Sequence, residues 1–226
     1  MDGFDDLEIK ESYDSEEDDV LNDFYIPVLQ NSTKYYRMAG FFTSASLAIA
    51  ARGMAQFIRN GGRMKLITSA KLNQADVEAI VQGKEDIGNL IGQKFISDLE
   101  NLEDNLVKDS VGALAWMIST GKLDVRIALV TGKDGMPLKY EEIVDDSLFH
   151  SKAGICIDYY GHALSFSGSI NETMRAWERN IENFKVFKGW KDEEMKYVDD
   201  DWEMFNKFWL GNTQSAKIIG LPNQAY

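Results

Sequence analysis

The order of apolar and polar positions along this chain marks out its elements before any residue is given a task. Phe24–Leu29 and Tyr35–Phe42 read as short strands, and Thr43 and Ser44 are candidate caps for a helix running through Arg59. Asn60-Gly61-Gly62 ends that helix, and Met64–Ser69 follows as a buried strand. A strand-helix-strand order requires a crossover connection and so favours a parallel pair. Residues 73–120 turn helical, with Ile87, Leu90, Ile91, Leu99, Leu102 and Leu106 recurring at steps of three or four residues or their multiples. Strand character returns at Asp124–Val130, Leu148–Asp158 and Ala163–Ser169, the last two joined by the turn-like Tyr159-Tyr160-Gly161-His162. Another strand at Phe184–Phe187 leads into an amphipathic helix through Trp209, whose stripe of Met195, Val198, Trp202, Phe205 and Trp209 is expected to pack on the core. The pattern predicts an α/β fold with a mixed, mostly parallel central sheet flanked by helices and carrying a helical insertion at about 73–120.

With 226 residues and 44% hydrophobic content the chain is long enough for one sizeable core. Its formal charge of −13 argues against a polyanionic partner until the distribution is considered. Residues 1–23 hold eleven acidic side chains against the single Lys10, which leaves only −3 for the remaining 203 residues. Residues 1–22 are therefore expected to be a solvated acidic tail, and 23–226 the folded domain. Cys156 is the sole cysteine, so an intramolecular disulfide is excluded, and it is expected to be a small buried hydrophobe. No basic-then-apolar leader pattern opens the chain, and its apolar stretches are too short to span a bilayer. A soluble, cytoplasmic protein with no membrane partner is expected.

The candidate chemistry sits on the later strands. Alternation puts His150 and Lys152 on one side, with Phe149, Ala153, Ile155 and Ile157 on the other. The next strand closes in Gly168-Ser169-Ile170-Asn171, where Ser169 and Asn171 share a side if the chain stays extended. An imidazole nucleophile, an ammonium, a hydroxyl and an amide suit a phosphodiester, whose nonbridging oxygens need charge stabilisation. No Cys/His set has zinc spacing, and no catalytic metal or other cofactor is expected. His162, beside Gly161 in a turn, is expected to be exposed and without a role, and no phosphate loop of the GxxxxGK[ST] type occurs.

His150-Ser151-Lys152, Asp158 and Gly168-Ser169-Ile170-Asn171 resemble the HxK…D…GSxN signature of the phospholipase D superfamily, with six steps rather than five between Lys152 and Asp158. Single-motif members place a Glu about a dozen residues beyond the Asn, and Glu182 lies eleven residues after Asn171. The resemblance implies a phospholipase D-like fold and the following roles. His150 attacks phosphorus to form a phosphohistidine. Lys152, Ser169 and Asn171 bind the nonbridging oxygens, and Glu182 holds the His150 tautomer. Asp158 and Gly168 are motif residues with structural duties. Two histidines are needed and one motif is present, so the resemblance also implies a homodimer. Glu11–Leu72, together with the stretches FSGSINET and NIENFKVFKGW, resembles the N-terminal domain of bacterial superfamily-2 helicases associated with restriction and phage defence. That similarity implies nucleic acid as substrate, DNA ahead of RNA, and a helicase motor in the same chain or complex. Two other readings stay open: a non-catalytic module that binds nucleic acid or dimerises beside a motor, and a phospholipid hydrolase or transferase.

Overall fold

Strands form where β-branched and aromatic residues alternate between two apolar faces. The computed structural model describes residues 2–40, 51–69, 116–118, 120–133, 138, 152–169 and 183–220. In chain order the strands are β1 (Ser12–Asp14), β2 (Ser32–Ala39), β3 (Arg63–Ser69), β4 (Leu123–Val130), β5 (Ala153–Asp158), β6 (Ala163–Gly168), β7 (Asn183–Lys188) and β8 (Ala216–Gly220). They form one sheet in the order β1-β7-β6-β5-β2-β3-β4-β8. Helices α1 (Ile26–Asn31), α2 (Ala51–Arg59) and α3 (Asp192–Trp209) accompany it.

The expected strand-helix-strand unit is present: β2 and β3 pair in parallel, with Tyr35 opposite Met64, and α2 lies between them in sequence. Its stop signal works through backbone geometry. Gly61 takes φ 72°, its N–H donates to the Ile58 carbonyl, and the Gly62 N–H reaches back to Phe57. A Cβ on Gly62 would lie 2.6 Å from the Phe57 carbonyl oxygen. The candidate caps Thr43 and Ser44, and the helical insertion apart from residues 116–118 and 120, lie outside the described residues.

The sheet is mixed as expected, but its parallel share is smaller. Only β2–β3 and β3–β4 are parallel, whereas β1–β7, β7–β6, β6–β5, β5–β2 and β4–β8 are antiparallel. The reason is connection length: the short turn 159–162 can join β5 to β6 only as a hairpin, and β5 itself enters beside β2 from the opposite end.

Two further expectations are corrected. Phe24–Leu29 is not a strand: Leu21–Tyr25 is a π-helical turn that runs into α1. Phe24 and Val28, and Tyr25 and Leu29, are spaced by one helical turn and all four are buried, so the apolar run serves a helix packed on the sheet. The acidic segment is not a solvated tail either. Phe4, Ile9, Tyr13 and Val20 are buried in the main core, and β1 extends the sheet by pairing with β7. Its apolar residues point inward while most of its carboxylates stay on the outside. Lys188 anchors the segment further, its ammonium donating to the Ile9 carbonyl and lying 3.2 Å from a Glu11 oxygen.

Both faces of the sheet are covered. On one, Tyr35, Leu66, Val125, Cys156, Leu164, Phe166 and Phe184 meet the N-terminal segment, the 21–25 turn and α2, and Cys156 is the buried small residue expected. On the other, Met38, Ile67, Ala128, Ala153 and Ile155 meet Phe205 and Trp209 of α3. The α3 stripe holds at Val198, Phe205 and Trp209, while Met195 is exposed and Asp201 takes a buried place in it.

Burial raises the Asp201 pKa above the ordinary carboxylate value, and the charge of Asp200 adds to the rise. A group whose folded pKa is raised contributes stability below its unfolded pKa and loses it as pH rises through the folded one. The isosteric change Asp201→Asn is therefore expected to raise the unfolding temperature at pH 8. That gain should shrink as pH falls into the ordinary carboxylate range, which thermal melts across pH will measure.

Candidate active site

The topology sends several chain segments to one edge of the sheet. β2, β3 and β4 run in parallel and end there, and Met38, near the end of β2, lies opposite Ala153 at the start of β5. β6 returns to the same edge, with Ser167 opposite Ala153, and β7 starts from it, with Phe184 opposite Gly168. Crevices outside the carboxyl ends of parallel strands are the usual binding position in α/β sheets.

Lys152 immediately precedes β5 and is partly buried, and its carbonyl accepts the Gly168 N–H at 3.3 Å. Continued alternation assigns Lys152 to the face of Gly154 and Cys156 and away from Ala153 and Ile155. Gly168 is required by close approach: a Cβ there would lie 2.3 Å from the Asn183 carbonyl oxygen and 2.6 Å from the Phe184 Cα. Ser169 then fastens β6 to β7. Its N–H donates to the Asn183 carbonyl at 3.0 Å, and its hydroxyl donates to the same carbonyl at 3.2 Å while accepting the Asn183 N–H at 3.0 Å. The Gly-Ser pair thus docks the start of β7 against the end of β6.

His150, Asn171 and Glu182 lie outside the described residues. In sequence, His150 stands two residues before Lys152, Asn171 two after Ser169, and Glu182 directly before Asn183. The described residues beside them, Lys152, Ser169 and Asn183, lie at neighbouring points of the same edge. Ser69, at the end of β3, donates its hydroxyl to the Gly40 carbonyl and ties two strand ends together there.

Arg37 escaped the sequence reading. It is fully buried on β2, opposite Gly154, with its guanidinium 5.2 Å from the centre of the Phe166 ring. Gly154 makes room for that ring, since a Cβ would lie 2.2 Å from Phe166 Cζ. A guanidinium stays protonated when buried, so Arg37 sets a fixed positive charge beneath the edge that carries Lys152. The signal was an arginine inside the otherwise apolar strand YYRMA.

Asp158 sits at the opposite edge. Its side chain is wholly buried, accepting the Phe4 N–H at 2.9 Å and the His162 N–H at 2.8 Å. Its place is structural, at the β5–β6 turn. His162, expected to be exposed and idle, is half-buried, and its Nδ1 lies 3.0 Å from Asp158 Oδ2. Among the described residues, the group able to ligate a cation is Asp5, Asp158 and His162, at this same distal edge.

No protein-family model matches the chain, and no curated protein matches it in sequence. Solved structures similar to it include NucT from Helicobacter pylori, at 12% identity over 91% of this chain and 98% of that one, with a TM-score of 0.49. Nuc from Salmonella typhimurium, a phospholipase D family member, is 14% identical over 86% of this chain and 88% of its own, with a TM-score of 0.44. The phosphatidylserine synthase of Haemophilus influenzae Rd KW20 is 15% identical over 88% of this chain and 36% of its own, also at 0.44. At such identities, function rests on the chain's own geometry. Among the described residues, no helix is long and apolar enough to cross a membrane.

Proposed function

We propose that this chain is a phospholipase D-like, metal-independent phosphodiesterase, a nuclease acting on DNA at a cleft shared by two copies, and a domain of or partner to a helicase in restriction or phage defence. The observation that supports it best is that Lys152, Ser169 and Asn183, the described residues next to the HxK, GSxN and Glu positions in sequence, lie together on one sheet edge. Lys152 is bonded to Gly168 there, and Ser169 to Asn183, the residue after Glu182.

In this reading the His150 imidazole attacks phosphorus and the P–O bond to the leaving nucleoside oxygen breaks. That oxygen takes a proton from His150 of the partner subunit. The same histidine then deprotonates a water, which attacks the phosphohistidine and releases free His150. Lys152 neutralises charge on the nonbridging oxygens and the Asn171 amide donates hydrogen bonds to them, with Arg37 adding to the positive potential behind them. Glu182 accepts the other N–H of His150 and so fixes the tautomer that attacks. The Ser169 hydroxyl, already bonded to Asn183, holds the start of β7, the residue after Glu182, against the end of β6.

The test is incubation of the chain with end-labelled DNA and RNA in excess EDTA. Cleavage of DNA at a rate close to that without chelator is expected. Cleavage that appears only on adding Mg²⁺, or none of either polymer, would overturn the reading.

A further inference from the structure

We propose that Asp5, Asp158 and His162 form a divalent transition-metal site that clips the N-terminal segment to the β5–β6 turn. The three donor atoms lie within 4.8 Å of one another. His162 Nδ1 is 3.1 Å from Asp5 Oδ1 and 3.0 Å from Asp158 Oδ2. With bonds of about 2.1 Å, neighbouring ligands sit about 3.0 Å apart in a six-coordinate shell and about 3.4 Å apart in a tetrahedral one, so both spacings lie within a few tenths of an ångström of a coordination edge.

The trio is also pre-organised. Asp158 is held by the backbone N–H groups of Phe4 and His162, which fix its carboxylate and leave further lone pairs to ligate. The His162 ring is flanked by Trp190, with centroids 5.7 Å apart. Asp5 reaches the imidazole over Gly3, where a Cβ would lie 2.3 Å from Asp5 Oδ1, so a glycine there makes the approach possible.

Charge points the same way. Two carboxylates face a single imidazole nitrogen. A divalent cation carries the charge that balances the two acidic side chains. One nitrogen and two oxygen ligands suit Zn²⁺ and its first-row neighbours. Asp158 is enclosed while Asp5 and His162 are partly open to solvent, so a cation has a route in and water can complete its shell.

The site is separate from the proposed cleavage chemistry. Asp158 ends the strand that Lys152 precedes, and six residues of strand put them roughly 20 Å apart. The metal here would stabilise the fold rather than take part in cleavage.

The experiment is calorimetric titration of the chelator-stripped full chain with Zn²⁺, with thermal melts at each ratio. One equivalent should bind saturably and raise the unfolding temperature. In Asp5→Asn the affinity should fall at least about tenfold and most of the thermal gain should vanish. The zinc-free melting point of that variant should stay at the wild-type value, because the Asp5 side chain is about half exposed. Absence of saturable one-equivalent binding to the wild type, or equal affinity in Asp5→Asn and wild type, would overturn the proposal.

Discussion

Replacing His150 by alanine is expected to lower DNA cleavage by about 10³-fold or more while leaving the unfolding temperature near that of the wild type. The large loss follows if the imidazole is the nucleophile, because no other histidine can take its place. His162, the only other one, belongs to the distal turn with Asp158. Lys152→Ala should fall in the same direction by about 10²–10³-fold, as expected for removal of one charge-stabilising donor from a preorganised site. Fold stability should survive that second change, because Lys152 precedes β5 and is only partly buried.

Co-expression of wild-type and His150→Ala chains in equal amounts gives the dimer a signature of its own. If one cleft draws a histidine from each subunit, random pairing leaves only about a quarter of the dimers with both, and activity should drop to about that fraction. A drop to half would mean that each chain works alone, and full activity of His150→Ala would end the phosphohistidine reading.

The second large effect concerns stability. Asp158→Ala, measured in chelator so that metal binding does not enter, is expected to destabilise the fold by about 2–4 kcal/mol. For a chain of this size that lowers the unfolding temperature by roughly 10 °C. The change removes the acceptor of the Phe4 and His162 N–H groups, and Phe4 is fully buried. Residues 2–14 should loosen with it, because Asp158 joins them to the sheet far from their pairing with β7. Limited proteolysis should show earlier cutting in that segment, while the fraction still folded at low temperature should cleave DNA normally. An unchanged melting point together with lost cleavage would move Asp158 from the scaffold to the active site.

What the sequence determined by itself was local. The period-two runs of β3, β4, β6 and β7, the 3.6-period stripe of α3 and the Asn60-Gly61-Gly62 stop are each written in neighbouring residues, because each depends on backbone conformation and on which face turns inward. The candidate residues were named in the same local way: Lys152 directly precedes β5 and Ser169 directly follows β6, and His150, Asn171 and Glu182 stand within two sequence positions of described residues. Only the tertiary structure decided what distant segments do to one another. The apolar run 24–29 could serve a strand or a helix, and packing against the sheet chose the helix. The acidic segment looked solvated because eleven charges outweigh a few apolar residues in composition, yet Phe4, Ile9 and Tyr13 are the ones that meet the core. β1 and β8 are too short to stand out and exist because β7 and β4 offer open edges. Asp158 and Phe4 are 154 residues apart, and Arg37 meets Phe166 only once β5 and its glycine lie between their strands. Such contacts depend on which strands become neighbours, and chain periodicity carries no information about that.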